Sequence, residues 1–519
     1  MKNNSFVKGA TILIIFNLIG KVIGAIYRIP LAKILGPVGM GQYQLTFPLY
    51  CLILTISTSG IPIAISKLVS GYNSENRFSE SKKLLKISIL VLTLLSLIGT
   101  AIVVFGAKYI SKWQGNINTY ICYYGIAPAI MFVGVLSAFR GYFQGNMLMF
   151  PTAISGLIEQ IVKLAAGLFF SSRMLELGIE YAVFGALLGI SVSEFLAFVF
   201  LFISYLVYTK RHKGVFKKAE LSFKFLTRQL VSLSVPITLG GLISPITAMV
   251  DSFLVVNLLM LAGFSNSTST MMLGLQAGIV EPLVNIPVII AVSISTALLP
   301  SISKLLKDAD SNEKIKILIE KAFQISLSIS VCCFICFVVF GEQILSFLYG
   351  SSLDYDELTI AVKLLFIGGF NIIFLSLVQV SASALQGLGY QKFPVKTLFV
   401  GCVIKIVLDL ILIRFKTINI IGAVIAGGVC YFVVFILNYS KIKKLTGACI
   451  SDIYFYVAIQ ECFVCLFAFF ANTLLKMVVG DSLSMIIAGI VSGLIFLLTY
   501  YIFFMYEKKQ GVLTENRLD

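Results

Sequence analysis

Fourteen apolar runs, each near 20 residues long or longer, constrain the fold of this 519-residue chain more than any motif in it. They lie at roughly 9–31, 41–69, 86–106, 117–139, 153–172, 182–207, 229–256, 272–302, 322–341, 358–385, 394–413, 419–438, 454–475 and 483–505. A helix needs about 20 residues to cross ~30 Å of hydrocarbon. Lipid offers no partner to a backbone N–H or C=O, so only helices or a closed barrel can span it. Continuous apolar runs without alternation select helices. Composition agrees, with 58% hydrophobic and only 12% charged residues, against roughly 25% charged in soluble domains. The expectation is an all-α, polytopic membrane protein of about 14 transmembrane helices. A secreted domain, a disordered chain and a soluble enzyme are excluded. The start, MKNNSFVKGATILIIFNLIG, lacks a small-residue cleavage site, and Lys21 and Arg28 follow it. It reads as the first membrane helix rather than a removed signal.

The formal net charge of +16 suggests nucleic acid at first sight. Topology explains it better. With the N-terminus inside, 28 of the 40 Lys and Arg fall in inside segments, seven in outside loops and five within the apolar runs. Cytoplasmic loops carry such an excess. The reading is a multi-pass protein of the cell membrane with both termini cytoplasmic and no nucleic-acid partner. Arg140 counts here as an inside-loop residue. The ten cysteines sit mostly in apolar runs and read as small apolar residues. Cys462–Cys465 has redox or metal spacing, but the chain has one histidine, His212, in a charged loop. No catalytic or metal site is assigned, and no cofactor.

The two halves repeat. Ile65-Ser66-Lys67-Leu68 matches Ile302-Ser303-Lys304-Leu305; AFRGYFQGNMLMFP (138–151) resembles ALQGLGYQKFP (384–394); Ile161-Val162-Lys163 resembles Val403-Ile404-Lys405; and Gly185-Ala186 matches Gly422-Ala423. Residues 1–209 form one six-helix lobe and 229–448 a second. A basic linker (210–228) joins them, and 449–519 adds two helices and a tail. An even number of spans inserts both lobes the same way, as parallel repeats about an axis along the membrane normal. Two such lobes suit alternating access. No H-E-x-x-H, G-x-S-x-G or Walker motif is present, so no enzyme and no ATP-driven pump is expected.

Charges inside the membrane mark function by default. Asn17, Lys21 and Arg28 share one face of helix one and read as lining a wet cavity; Arg28 is also near enough to the helix end to reach the interface. Glu159 and Lys163 are four apart in helix five, as are Lys405 and Asp409 in helix eleven, and each pair can neutralise itself within its helix. Asp251 could pair with Arg28 or Lys21. Glu281 stands beside Pro282 and four residues before Asn285; irregular backbone at membrane depth normally lines a cavity. Cations there favour a phosphate-bearing ligand. Glu281 could space the cations, recognise sugar hydroxyls or bind a coupling cation.

The stretch GKVIGAIYRIPLAKILGPVGMGQYQ (20–44) resembles the first-helix region of the multidrug/oligosaccharidyl-lipid/polysaccharide exporter superfamily. ISTSGIPIAISKLVS (56–70), FRGYFQGNMLMFPTAISGLIEQIVK (139–163) and GIEYAVFGA (178–186) resemble the stage V sporulation protein B branch of its polysaccharide transporter family, which is similar to the lipid II flippases. The resemblance implies fourteen helices, two lobes in a V shape and a central cationic cavity. It implies movement of a lipid-linked oligosaccharide pyrophosphate to the outer leaflet, with helices 13 and 14 forming a groove for the lipid tail. Lys21 falls where those flippases carry an arginine, Arg28 lies near a second, and Glu281 matches a helix-eight acid. The basic residue of their helix two has no counterpart in 48–60, and the arginine beside their helix-eight acid is missing.

The leading expectation is a flippase for an undecaprenyl-pyrophosphate-linked cell-wall precursor, in peptidoglycan or spore cortex synthesis, with Lys21 and Arg28 on the pyrophosphate. Membrane potential, H⁺ or Na⁺ would drive it, and cell-wall synthesis enzymes are conceivable partners. The alternatives are a cation-coupled multidrug exporter of the same superfamily and a non-transporting scaffold. Gly36–Gly41 and Gly240–Gly241 are candidate hinges, or simply close-packing points.

Overall fold

The structure is a computed structural model that describes residues 2–58, 60–211, 220–306 and 312–449, and, further on, 463–464, 467–473, 484, 487–496 and 498–499. His212, most of the linker, Cys462 and Cys465 lie outside the described residues, as does most of 449–519. Among the described residues every regular element is helical. Among the described residues nine segments are long and apolar enough to cross a bilayer, and the protein is a multi-pass membrane protein. Its packing forms two compact units, Met1–Gly274 and Leu275–Asp519. The packing boundary therefore lies beyond the 210–228 linker at which the sequence repeat divides.

In the first unit, α1 (Lys2–Thr58) covers the first expected span and most of the second. The break between them is local: Gly36 adopts φ 61°, in the left-handed region, immediately before Pro37. A side chain is strained there, and proline removes a donor. The second span is interrupted again ahead of α2 (Ile61–Ser74), where Gly60 caps a helix with Pro62 in its first turn. Then follow α3 (Phe78–Trp113), α4 (Tyr120–Gly145), α5 (Met149–Met174) and α6 (Ile179–Arg211). The 36 residues of α3 make about 54 Å of helix, so its ends project beyond the hydrocarbon. At the start of α3, the buried Glu80 accepts the backbone N–H groups of Glu220 (2.8 Å) and Leu221 (3.1 Å) and pairs with Arg77. That clasp leads into α7 (Phe223–Gly241), which Ser222 caps. The expected seventh span is split at Leu242, just after Gly240–Gly241, into α7 and α8 (Ile243–Leu261). The eighth comprises α9 (Asn266–Leu273), a π-helical stretch (Gly274–Val280), within which the second unit begins at Leu275, and α10 (Glu281–Leu305). Pro282 thus does mark irregular backbone, two residues past the π-helical stretch.

The loop between α3 and α4 ties α8 and α9 into the first unit. Gln114 donates to the Leu45 carbonyl (2.8 Å) and to Ser252 Oγ (3.1 Å), and accepts from Tyr123 (2.7 Å). Asn116 donates to Thr270 Oγ1 at 3.0 Å. A Cβ on Gly41 would lie 1.9 Å from the Thr270 carbonyl oxygen, and one on Gly274 would lie 1.8 Å from that of Pro37, so the backbones touch.

The second unit continues with α11 (Asn312–Tyr349), α12 (Tyr355–Gly387), α13 (Lys392–Leu412) and α14 (Ile421–Thr446). A capping box at Asp354 and Glu357 starts α12. Of the expected thirteenth and fourteenth spans, the described part packs on α11: Ala468 and Ala488 cluster with Phe340, and Asn472 exchanges amide hydrogen bonds with Gln343.

The sequence repeat is a repeated contact. A Cβ on Gly141 of α4 would meet Ile65 Cβ at 3.0 Å, and one on Gly387 of α12 would meet Ile302 Cβ at 3.0 Å. Those are the matching positions of the two repeated motifs. Gly185 packs on the end of α5 as Gly422 packs on the end of α13. Lipid tails are as apolar as leucine, so van der Waals fit and small residues must hold membrane helices together. The motifs persist because close approach occurs at the same place in both halves.

Candidate functional site

A cavity of about 510 Å³ opens in the first unit between α1, α4 and α5. That volume lies within the ~300–1,000 Å³ of small-molecule sites. Helix α1 contributes Asn17 and Lys21, one helical turn apart, and Gly20 and Gly24. Helix α4 contributes Arg140 and Gln144, and α5 contributes Thr152, Gly156, Glu159 and Gln160. Leu13 and Phe16 supply the apolar wall. The two glycines let α5 come close: a Cβ on Gly20 would sit 3.3 Å from Gln160 Cγ, and one on Gly24 3.3 Å from Gln160 Oε1. Gln160 is therefore seated in a groove of α1, on the helix that carries Lys21.

A polar chain runs from the cavity into the unit. Arg140 Nη2 lies 2.9 Å from Glu159 Oε2, and Arg140 Nε donates to Ser155 Oγ at 3.1 Å. Gln160 Nε2 donates to Glu159 Oε1 at 3.1 Å, while Gln160 Oε1 accepts from Lys163 Nζ. Arg140 and Glu159 are each 21% exposed, so their pairing is shielded on most sides but open to the cavity. Thr152, on the same wall, has a buried hydroxyl without a hydrogen-bond partner. Deeper in, Glu194 of α6 accepts from Tyr50 at 2.9 Å, and its other carboxylate oxygen is buried without a partner. Two cations facing one carboxylate, with three amides alongside, give an excess positive charge surrounded by neutral donors and acceptors. Such a site suits a ligand with an anionic group and many hydroxyls or amides.

The residues proposed from sequence distribute unevenly. Asn17, Lys21 and Glu159 come together in the cavity. Arg28 does not line it: its guanidinium stands 5.9 Å from the Phe47 ring centroid, as a cation–π contact within α1. Lys163 sits one layer behind the wall. The expected Glu159–Lys163 pair is corrected, because Glu159 takes Arg140 from α4 and Gln160 comes between it and Lys163. The matching expectation in the second unit holds: Lys405 Nζ lies 2.8 Å from the fully buried Asp409. Asp251 is half-buried on α8 and is not part of the cavity. Glu281 and Asn285 are exposed on the first turns of α10, in the second unit.

Arg140 is the residue that sequence reasoning misplaced. The fourth apolar run stops at 139, which puts Arg140 in an inside loop; α4 in fact continues to Gly145 and carries it. A signal was available in the repeat, where AFRG (138–141) aligns with ALQG (384–387). Gln386 stands at the equivalent position of the second half, so the arginine is specific to the first.

Residues 6–306, more than half of the chain, match the family described as "Polysaccharide biosynthesis protein". The chain belongs to that family. This bears out the resemblance carried by residues 20–44, 139–163 and 178–186. Residues 236–411 of this family member also match the MatE family. It is 29% identical over 471 residues to the "Lipid II flippase MurJ" of Bacillus subtilis (strain 168), covering 86% of this chain and 84% of the relative. It is 26% identical over 453 residues to the "Stage V sporulation protein B" of the same organism, covering 86% and 85%. Among solved structures, "Lipid II flippase MurJ, inward closed conformation" shares the fold with a TM-score of 0.73 at 16% identity, over 95% of this chain and 98% of that one.

Proposed function

We propose that this protein is a flippase. It moves an undecaprenyl-pyrophosphate-linked cell-wall precursor, lipid II or a similar lipid-linked oligosaccharide, from the inner to the outer leaflet of the cell membrane by alternating access. The observation that carries the reading is the cavity in which Lys21 and Arg140 face a single carboxylate, Glu159, among the amides of Asn17, Gln144 and Gln160. Lys21 and Arg140 receive the pyrophosphate, the amides meet sugar and peptide groups of the head, and the prenyl tail stays in lipid. The 28-to-7 split of Lys and Arg supports cytoplasmic termini and entry from the inside, because Arg140 and Thr152 flank the turn between α4 and α5. An inward negative potential, or an H⁺ or Na⁺ gradient, supplies the work: one charge crossing 100 mV gains ~2.3 kcal/mol. No bond is made or broken, so the protein is not an enzyme in this reading. Relatives bearing the names lipid II flippase and stage V sporulation protein B support the substrate class.

The test is reconstitution in vesicles containing lipid II, followed by labelling of the headgroup at the far leaflet. Exposure above protein-free vesicles, reduced at least tenfold by Lys21→Ala, is expected. A folded protein that gives no exposure overturns the reading. The MatE match over 236–411 favours a second reading, cation-coupled export of a small drug; dye efflux driven by H⁺ or Na⁺, without lipid II exposure, would establish it instead.

A further inference from the structure

The Arg140–Glu159 pair lies where a ligand phosphate must bind. A carboxylate in hydrogen-bond contact with a guanidinium occupies the fork that phosphate geometry fits. Glu159 and a diphosphate therefore compete for one arginine. Glu159 also has a second cation within reach, since Lys163 lies four residues further along the same helix, a spacing at which opposite charges meet. In the structure Gln160 holds both: its amide nitrogen donates to Glu159 and its amide oxygen accepts from Lys163. The other half of the molecule lacks both partners of this exchange: Gln386 stands in place of Arg140 and Gly401 in place of Glu159, and the repeated lysine, Lys405, pairs at 2.8 Å with Asp409, four residues further along its own helix.

We propose that Glu159 is an exchangeable counter-ion. It holds Arg140 while the cavity is empty, yields it to a ligand's diphosphate, and then takes up Lys163. This rests on the flippase reading for the site, and it assigns Arg140 as a ligand-binding residue and Glu159 and Lys163 as positioning residues. The exchange leaves the charge balance of the protein unchanged while two contacts change partners: Arg140 leaves α5 for the ligand, and Glu159 turns inward along α5. Gln160, released from bridging the two, is the side chain seated between Gly20 and Gly24 of α1. Loading the cavity thereby alters the α1–α5 contact, and the arginine becomes available only to an anion able to outcompete a carboxylate. A neutral or singly charged lipid is a poor competitor, so the pair is also a specificity filter.

The experiment measures binding of undecaprenyl pyrophosphate, undecaprenyl alcohol and inorganic pyrophosphate to the full-length protein in nanodiscs. Glu159→Gln, nearly isosteric, removes the competitor and tightens undecaprenyl pyrophosphate about tenfold, the usual size of one charge-assisted hydrogen bond. Arg140→Gln weakens it about tenfold, and Arg140→Lys less. Adding Glu159→Gln to Arg140→Gln has no further effect, which is the coupling expected of groups that share a partner. Lys163→Met weakens binding several-fold in the wild type and leaves the Glu159→Gln variant unaffected. A purely structural role for Glu159 predicts loss rather than gain. Equal or weaker binding by a Glu159→Gln variant with unchanged unfolding temperature, or additive effects of the two substitutions, overturns the exchange even if the wild type binds and Lys21→Ala does not. Failure of the wild type to prefer pyrophosphate over the alcohol overturns the flippase reading and the exchange with it. Tightening seen with inorganic pyrophosphate as well supports the exchange and assigns recognition to the diphosphate alone; tightening confined to the lipid supports it with the tail as a required part of the ligand.

Discussion

Alanine at Gly41 tests the contact between α1 and α9 at the end of the first unit that carries the 114–119 loop. The added Cβ would lie 1.9 Å from the Thr270 carbonyl oxygen, whereas ordinary contact begins at 3.4 Å. The obstacle is backbone, which has no rotamer to escape into, so α9 must recede by about 1.5 Å. A displacement of that size can lengthen the Asn116 Nδ2–Thr270 Oγ1 bond from 3.0 Å to at most about 4.5 Å, and one of more than a few tenths of an ångström along it passes the ~3.2 Å limit of a good N–H···O bond. A lost bond costs about 1 kcal/mol and overpacking about 1–3 kcal/mol. The sum, ~2–4 kcal/mol, corresponds to a shift of about thirtyfold to several hundredfold between docked and undocked α9 at 1.4 kcal/mol per tenfold. Hydrogen–deuterium exchange of the 266–273 amides reads this directly, because local opening sets their exchange rate. Gly71→Ala serves as the control, since a Cβ there meets nothing within 4 Å. Gly274→Ala acts on the same interface through the Pro37 carbonyl and should add less than its own full effect. Wild-type exchange rates in Gly41→Ala, at unchanged unfolding temperature, would refute the reasoning that this backbone contact holds α9.

Three further outcomes follow from the geometry. Lys21→Ala should weaken undecaprenyl pyrophosphate binding at least tenfold, while Arg28→Ala, removing a cation that stacks on Phe47 away from the cavity, should change it less than about twofold; equal losses would restore Arg28 to the site. Glu80→Ala leaves the Glu220 and Leu221 amides without their buried acceptor and should cost about 2–3 kcal/mol, read as faster trypsin cleavage within 208–228 and a lower unfolding temperature. Lys405→Met removes the ammonium 2.8 Å from the buried Asp409 carboxylate and should lower the unfolding temperature, and the double substitution Lys405→Met/Asp409→Leu should recover most of the loss.

How far the sequence revealed this molecule depends on which interactions are local. The spans were legible because lipid imposes one rule on every residue of a crossing helix, and a run of 20 apolar residues obeys it visibly. The breaks at Gly36 and Leu242 were harder to place: each depends on a dihedral choice at one or two residues, which hydropathy averages away. The repeat was legible for a packing reason, since Gly141 on Ile65 and Gly387 on Ile302 are one contact made twice. The site was legible only in part. Asn17 and Lys21 follow from helical periodicity alone, and both reach the cavity. Periodicity also carried Arg28 onto the same face, but seven residues amount to two full turns of helix, enough to move a side chain from the cavity to the Phe47 ring. The Glu159–Lys163 spacing correctly states what lies within reach along α5 and is silent about Arg140 arriving from α4. In the second half the repeated lysine, Lys405, takes an intrahelical carboxylate, Asp409, at a position that is Gly167 in the first half, while Gly401 stands at the position of Glu159. A spacing rule states which partners lie within reach along one helix and says nothing of those a neighbouring helix offers. Glu159 takes its partner from α4 at the wall of the cavity, and that is itself a reason to seek the function at Arg140 and Glu159.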